Sequence, residues 1–253
     1  AARACQECIE IGQRSGRVMP RMLAAEALGN IQEMDNQLHQ AAESYQGVLE
    51  IAGEHPLPNA EVVHLGLARI YYEWNDLDAA EEHGQQSRQL ARLYDRGVDR
   101  SLAGDVLLAR VALARGDVDG AATMLYQAQR SAQERHFVLR MPEIVTAQVL
   151  ILIRQGQVAA AGDLAEQYGL PHSRSRVLIT QGDPAVALAI LEPFGREMEA
   201  RGWADERLKT MVLQAVARYT LGEHEEALQT LNEALALAES GGFVRLFLDE
   251  GAP

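Results

Sequence analysis

Short turns recur along this sequence at intervals close to 40 residues, and this spacing constrains the fold more than any other feature. Each turn contains a Gly or Asn followed by a polar residue, with an Ala four or five residues further on. Successive turns are separated by 39, 41, 40, 26 and 40 residues. A fixed period of this size is typical of a helical solenoid, in which neighbouring units cover one another's apolar faces. The turns begin at Asn36, Asn75, Gly116, Gly156, Gly182 and Gly222.

Each unit has the pattern of a helical hairpin. A long apolar segment precedes the Gly or Asn, which tolerates the left-handed backbone conformation that ends a helix. An acidic or amide residue usually follows, and acidic side chains favour the first turn of the next helix. The apolar residues are mostly Ala and Leu, which favour helix, and we find no period-two run typical of a strand. Small residues expected on the inner side of the second helices are Ala41, Ala80, Ala121, Ala160, Ala187 and Ala227.

One unit resembles a tetratricopeptide repeat (TPR) in its internal spacing, through Gly66, Tyr71, Asn75 and Ala79. The other units match that pattern only in part, and their period exceeds the ~34 residues of standard members. The sequence therefore predicts an all-α fold, a TPR-like superhelical solenoid of antiparallel helix hairpins with a period of ~40 residues. We expect a single domain over residues 1–253, as a fragment of a longer multidomain protein.

The predicted units differ in one place. The 26-residue interval leaves room for only a short first helix before Gly182, so we expect a kink or a tighter radius near 169–182, with Pro171 and Pro193 as punctuation. In the last hairpin, Leu228, Leu231, Leu235 and Ala238 form a stripe at helical spacing that is expected to be buried. Residues 1–15 are predicted to be the second helix of a truncated unit. Hairpins are predicted at 20–53, 60–95, 99–136, 142–168, 171–201 and 205–240, with an inter-unit loop at 55–61.

Composition excludes several classes of function. A formal net charge of −13 disfavours direct binding to nucleic acid, because an acidic surface repels phosphate. No apolar run is long enough to span a membrane, and the first residues do not form a signal peptide. The two cysteines, Cys5 and Cys8, share a helix face without further metal ligands, which favours an ordinary helix over a redox or zinc site. Two thiols suit a reducing cytoplasm.

Sequence motifs for catalysis are missing. We find no phosphate-binding G-x-x-x-x-G-K-[ST] loop, no dinucleotide-binding G-x-G-x-x-G, and no H-E-x-x-H metal motif. We therefore predict no enzyme activity, no metal site and no cofactor in this chain. The basic stretch at 172–177 interrupts an acidic protein. It is interpreted as a solvated turn, with an anion or an acidic partner as the alternative.

A solenoid offers a concave groove, which the first helix of each unit is expected to line. Residues three and six positions before each turn residue should face inward, and they combine Arg, Tyr and aliphatic side chains suited to a peptide or a small polar ligand. The alternative for each is a place in the core between units or on the plain surface. The candidates are Arg69, Tyr72, Arg110, Leu113, Leu150, Ile153, Val216 and Tyr219.

The last residues resemble the end of the helical-repeat domain in large MalT-type regulators of the LuxR family, whose signature is G-[FY]-x-R-x-F-[LV]-D-E-G. The matching residues are Gly242, Phe243, Arg245, Phe247, Asp249, Glu250 and Gly251. The preceding GEHEEALQTLNEALALAE is similar to the last hairpin of those proteins.

This resemblance implies a ligand-responsive transcription activator with an N-terminal ATPase, this superhelical sensor and a C-terminal DNA-binding domain. ATP would then bind only in the N-terminal domain. The expected partners of this chain are a small inducer or a regulatory protein, the other domains of the regulator, and a second copy of itself. The signature is expected to end the solenoid, with its aromatic residues sealing the last hairpin. A generic TPR-like scaffold without a small ligand is the alternative.

Overall fold

The structure, a computed structural model, describes residues 1–52, 60–93 and 98–251, and these residues are helical apart from short turns and the last residues. A 3-10 helix at Val138–Arg140 precedes α8. The helices are α1 (Ala2–Ser15), α2 (Val18–Met34), α3 (Leu38–Ala52), α4 (Ala60–Glu73), α5 (Leu77–Leu93), α6 (Val98–Ala114), α7 (Val118–Glu134), α8 (Met141–Arg154), α9 (Val158–Gln167), α10 (Pro171–Gln181), α11 (Pro184–Arg201), α12 (Ala204–Leu221), α13 (His224–Glu239) and α14 (Arg245–Leu248).

Consecutive helices form the predicted antiparallel hairpins. The pairs α2–α3, α4–α5, α6–α7, α8–α9, α10–α11 and α12–α13 begin and end within a few residues of the predicted bounds, and α1 packs on α2 as the remaining half-unit. First helices of successive units also touch, for example α4 with α6 and α6 with α8. The solenoid prediction is therefore confirmed. Of the loop predicted at 55–61, residues 55–59 lie outside the described part of the chain, and the last two residues belong to α4.

The predicted turn residues all adopt the left-handed backbone conformation. Asn36 and Asn75 have φ of 60° and 61°, and the four glycines lie between 73° and 92°. At these angles an ordinary side chain clashes with the following carbonyl, which is why Gly and Asn predominate. The short hairpin is also confirmed, because α10 has 11 residues. Pro193, however, lies inside α11 and does not end it.

The alanine prediction is correct for five of the six second helices. Ala41, Ala80, Ala121 and Ala187 are fully buried, and Ala227 is 4% exposed. Ala160 is exposed and its neighbour Ala161 is buried instead. In all six hairpins the buried alanine stands five positions after the left-handed residue. Ala160 stands only four positions after Gly156, so its side chain points about 100° away from the buried direction.

The stripe predicted for α13 is wrong at two of its four positions. Leu228 and Leu235 are 59% and 45% exposed, while Ala238 is buried as predicted and Leu231 is half-buried. Ala234 is fully buried instead. The two helices of this hairpin approach closely over the alanines, and the larger leucines are left on the outer side of the unit. Periodicity alone cannot distinguish the two stripes, because both follow helical spacing.

The first hairpins meet around Tyr45 of α3, whose side chain is fully buried. Its ring lies against a glycine on each of the two adjoining helices, Gly29 of α2 and Gly66 of α4. A Cβ added to Gly29 would lie 2.5 Å from Cε1 of Tyr45, and a Cβ added to Gly66 would lie 2.5 Å from Cζ. The Tyr45 hydroxyl hydrogen-bonds to Asn30 at 2.9 Å and to Glu33. We call this the Tyr45 junction. It holds α2, α3 and α4 together by close packing around one aromatic ring.

Candidate functional site on the inner face

The last residues of the chain fold back onto the end of α4, and the contacts join residues 167 to 177 positions apart in sequence. We call residues 241–251 the C-terminal segment. The indole nitrogen of Trp74 donates to the carbonyl oxygen of Gly241 at 2.8 Å. The carbonyl oxygen of Glu73 accepts from the backbone nitrogen of Val244 at 2.8 Å, and its carboxylate accepts from the backbone nitrogen of Leu246 at 3.1 Å. Glu73 ends α4, so its carbonyl has no partner within the helix and is free to bind another strand of chain.

Asp249 of the segment lies between one aromatic and two basic side chains. It accepts a hydrogen bond from the hydroxyl of Tyr72 at 2.7 Å, and its carboxylate lies 3.5 Å from the guanidinium of Arg110. Arg245, one helical turn earlier, also donates to it. The Arg110 guanidinium stands 4.4 Å from the centre of the Tyr72 ring, within the range of a cation–π contact. Burial raises the pKa of Tyr72 to about 12, so its hydroxyl stays a donor at neutral pH.

Glu250 makes the second acidic contact. Arg176 of α10 donates from Nε to both carboxylate oxygens, at 2.7 and 2.9 Å, and a further nitrogen of the same guanidinium donates as well. The two side chains are 15% and 9% exposed, so the pair is largely shielded from water. We refer to Tyr72, Glu73, Arg110 and Arg176 together as the inner face. The C-terminal segment thus connects α4, α6 and α10, which belong to three different hairpins.

The apolar side chains of the segment bridge the two ends of the solenoid. Phe243, Leu246 and Phe247 pack against the core of the last hairpin, and Phe243 also packs against the cluster around Tyr45. The prediction that the aromatics pack on the last hairpin is confirmed, and the contact with the first hairpins is an addition. Position 241 requires a glycine, because the Cβ of any other residue would lie 2.6 Å from the carbonyl oxygen of Asn36.

Of the predicted groove residues, Tyr72 and Arg110 come together on the inner face. Arg69 is separate: it binds Glu33 in a bidentate ion pair of 2.9 and 2.8 Å within the Tyr45 junction. Tyr219 is 65% exposed and contacts the ring of His224. The remaining candidates are half-buried on their own hairpins, and their role in ligand binding stays a prediction: Leu113, Leu150, Ile153 and Val216.

Sequence reasoning missed Glu73, Trp74 and Arg176. The basic stretch at 172–177 carried a signal for the last of these, but its interpretation as a solvated turn is wrong. These residues lie in α10, where Arg176 is largely buried against Glu250 and His172 against Thr210, with its ring nitrogen 2.8 Å from the threonine hydroxyl. Burial, together with the positive charges of Arg176 and Lys209, lowers the pKa of His172 to about 3.

A row of aromatic rings runs along α4 beside the C-terminal segment. His39 stacks on Trp74 with centroids 4.8 Å apart, Trp74 meets Tyr71 edge-on at 5.6 Å, and Tyr71 stacks on His83 at 5.3 Å. The Nδ1 atoms of His83 and His64 are 2.8 Å apart, so one donates and the other accepts. Burial, together with the neighbouring His83, lowers the pKa of His64 to about 4. The pair is therefore neutral at neutral pH.

A second candidate site is a cavity of about 390 Å³ where α5, α6 and α7 meet. Its walls include Arg88, Arg92, Arg135 and Asp105. Arg88 lies 3.6 Å from Asp105, and burial raises the pKa of the Asp105 carboxyl. The cavity thus carries more positive than negative charge within an acidic protein, and its volume lies in the range of small-molecule sites.

Two classes of site are missing from the described residues. Nowhere in the described ranges do three His, Cys, Asp or Glu side chains come together as metal ligands. None of the described helices combines the length and apolar composition needed to cross a membrane.

Solved structures of other proteins resemble this fold. A solved structure, aspartyl phosphate phosphatase F from Bacillus subtilis, matches with a TM-score of 0.56 at 12% identity, covering 96% of this chain and 61% of that one. BtubC (BKLC) from P. vanneervenii matches with a TM-score of 0.46 at 14% identity, over 100% of this chain and 92% of that chain. At 12% identity, the first likeness is a likeness of fold alone, and the second is too weak to support a conclusion.

Sequence comparison is more specific. The HTH-type transcriptional regulator MalT of Vibrio campbellii (strain ATCC BAA-1116) is 24% identical over 198 residues, which cover 73% of this chain. The chain spans only 22% of the length of that regulator. The family described as the MalT-like TPR region matches residues 1–253, from the first residue to the last. The chain therefore belongs to the MalT-like TPR region family, a helical-repeat protein-interaction domain.

Proposed function

We propose that this chain is the effector-sensing and protein-interaction domain of an ATP-dependent, cytoplasmic transcription activator of the LuxR family. In this proposal the superhelix binds a small inducer, a partner protein, or both. ATP binds in an N-terminal domain of the same regulator, and DNA binds in a C-terminal one. The likeness to a MalT regulator supports this context.

The observation that carries the proposal is the attachment of one C-terminal segment to three separate hairpins. Tyr72, Arg110 and Arg176 stand on α4, α6 and α10, and all three bind acidic residues of the same short stretch. A ligand that shifts these hairpins relative to one another must also change the contacts of the segment. A sensor needs such a coupling, because a ligand acts only through the difference in its affinity for two arrangements.

A small inducer has a suitable place in the arginine-lined cavity between α5, α6 and α7. Guanidinium groups bind carboxylates and phosphates in a bidentate manner, and three of them line this cavity together with one aspartate. We therefore expect acidic metabolites to be the first class worth testing, with neutral sugars and aromatic compounds as comparison classes.

The test is a thermal-shift screen of the purified chain against metabolites of these three classes. A compound that binds only the folded state raises the melting temperature in a dose-dependent way, since RT ln(1 + [L]/Kd) adds about 2.7 kcal/mol at one hundred times its Kd. An Arg88→Ala variant should abolish the shift if the cavity is the site. A matched Arg130→Ala variant, which removes only a surface pair with Glu134, should keep it.

The alternative is a TPR-like scaffold that binds protein segments without a small ligand. It is favoured if no metabolite changes the melting temperature while a defined peptide binds. The full-length gene product provides a second check, because the proposal requires ATP binding and specific DNA binding by other domains of the same polypeptide. Absence of both activities from the full-length protein overturns the proposed context.

A further inference from the structure

We propose that the inner face is a recognition site for acidic–aromatic peptide segments, and that the C-terminal segment occupies it as an internal competitor. A partner protein carrying a segment with the same chemistry displaces it. This inference rests on the proposed function for its biological setting and names the class of partner.

The contacts form a complete peptide-binding set. Glu73 accepts two backbone N–H groups of the segment and Trp74 donates to one backbone carbonyl, so the main chain is held whatever its side chains are. Phe243, Leu246 and Phe247 enter the apolar contact with α12 and α13. Asp249 and Glu250 meet separate basic receptors. Backbone clamps, apolar contacts and charge receptors are the three components that peptide-binding proteins combine for affinity and specificity.

The charge of the inner face identifies the partner as acidic. The whole chain carries a net charge of −13, yet Arg110 and Arg176 converge on the segment from two helices. When the segment leaves, Arg176 loses the carboxylate of Glu250, and Arg110 loses that of Asp249 but keeps the carboxylate of Glu73 at 3.9 Å. A largely buried arginine without a counter-ion is costly, so the vacated site favours a new carboxylate at Arg176.

The attachment has the properties of an exchangeable contact. A pair of glycines, Gly241 and Gly242, joins the segment to α13, and Gly242 has a φ of 71°. The segment contains only one short helix, α14, of four residues. Its exposed side includes Val244 and Leu248, which are 40% and 50% exposed, and none of the residues of α14 is fully buried. Local units with few buried apolar contacts open at a much smaller free energy than the global fold.

Competition in trans is testable with a synthetic peptide of residues 241–251, GGFVRLFLDEG, carrying a fluorescent label. In the intact chain the tethered segment competes at an effective concentration of roughly millimolar, so the free peptide should bind weakly. The double variant Asp249→Asn, Glu250→Gln weakens the tethered segment and leaves the inner face unaltered. We expect this variant to bind the peptide at least about tenfold more tightly than the unaltered chain does, by fluorescence anisotropy.

Two controls separate recognition from adventitious binding. A peptide with Asn and Gln in place of its two acidic residues should lose about tenfold or more in affinity. Adding Arg176→Ala to the double variant should abolish tight binding, whereas adding Arg130→Ala, an exposed arginine of α7, should leave it unchanged. Circular dichroism and thermal melting establish that each variant is folded before its affinity is compared.

A second measurement uses Trp74 as a reporter and does not depend on a weakened chain. In a Trp203→Phe background, Trp74 is the remaining tryptophan, and a peptide labelled at its first glycine should quench the Trp74 emission on binding, because Gly241 lies in hydrogen-bond contact with that indole. The inference fails if the folded double variant does not bind the peptide. It fails equally if the peptide with Asn and Gln in place of its two acidic residues binds as tightly as the acidic one. It also fails if the double variant forms dimers that Arg176→Ala abolishes, because the occupant is then a second copy.

The outcome is independent of the metabolite screen. Peptide binding without any metabolite response supports this inference and not the small inducer. A metabolite response without peptide binding supports the sensor and overturns the inference.

Discussion

Helix α4 takes part in two contacts that are built in different ways. Toward its middle, Gly66 lies against the buried ring of Tyr45, and the contact depends on shape. At its end, Tyr72, Glu73 and Trp74 hold the C-terminal segment by hydrogen bonds and charge, with apolar side chains that are only partly buried. A contact determined by close packing allows one partner, while a contact determined by polar complementarity accepts any segment with the same groups. The same helix therefore combines a permanent junction with an exchangeable one.

The largest effect should come from disturbing the Tyr45 junction. In Gly66→Ala, the new methyl group lies 2.5 Å from Cζ of Tyr45, so α4 must move away from α3 or the ring must leave its position. We expect the free energy of unfolding to fall by about 3 kcal/mol in urea titrations. Gly47→Ala is the matched control, because nothing lies within 4 Å of its Cβ, and it should gain about 0.5 kcal/mol. Similar losses in both variants would contradict packing as the basis of this junction.

A smaller and local effect is expected from Gly241→Ala. Its methyl group would lie 2.6 Å from the carbonyl oxygen of Asn36, which displaces the segment from Trp74. The variant should lose about 1–2 kcal/mol, and the emission of Trp74 should shift before global unfolding begins. The exposed neighbour provides the control, since Ser240→Ala should change neither quantity. Cooperative loss of the whole fold in Gly241→Ala would show that the segment is not a separate unit.

Removing one charge of the segment should have a still smaller effect. Glu250→Gln keeps the shape of the side chain and one acceptor for Arg176, but loses the ionic attraction. Because the released segment returns its polar groups to water, the loss in stability is limited to about 1 kcal/mol. Hydrogen exchange of the backbone amides of Val244 and Leu246, both bound to Glu73, should accelerate. Unchanged exchange rates there, compared with the surface control Glu233→Gln, would argue against a role for this ion pair in holding the segment.

The smallest effect concerns pH and the pair formed by His64 and His83. The folded-state pKa of His64 is lowered to about 4 from an ordinary value of 6.5, so the unfolded chain binds more protons between these values. Stability contributed by the neutral pair is present above pH 6.5 and is lost as the pH falls toward 4. His64 is only half-buried, and we expect less than ~1 kcal/mol after solvent screening. Between pH 4 and 6.5, the melting temperature of His64→Phe should depend less on pH than that of the unaltered chain. An equal pH dependence in the two proteins would show that the histidine pair does not cause it.

Much of the fold was predictable from local chemistry. Gly and Asn at the six turns adopt the left-handed conformation that suits them, and this alone places the hairpins. The identity of the buried side was harder to predict. On α13 the alanines are buried and Leu228 is exposed, because closeness of approach between two helices outweighs the hydrophobicity of single residues. Ala160 shows the same limit, since one residue of register moves a side chain from the core to the surface.

The candidate site was predictable only in part. Counting back from the turns found Tyr72 and Arg110, and the same counting found Arg69, which serves the Tyr45 junction instead. Arg176 and Trp74 escaped because their partners lie 74 and 167 residues away in sequence. No local pattern encodes a contact of that range.

The sequence by itself determined the repeating hairpins, their boundaries and the acidic–aromatic ending, since each follows from backbone preferences and spacing within about 40 residues. Only the tertiary structure decided that this ending lies against α4, α6 and α10. That position follows from stacking, which brings the last hairpin beside the first, so that the distance between Asp249 and Tyr72 depends on every unit between them.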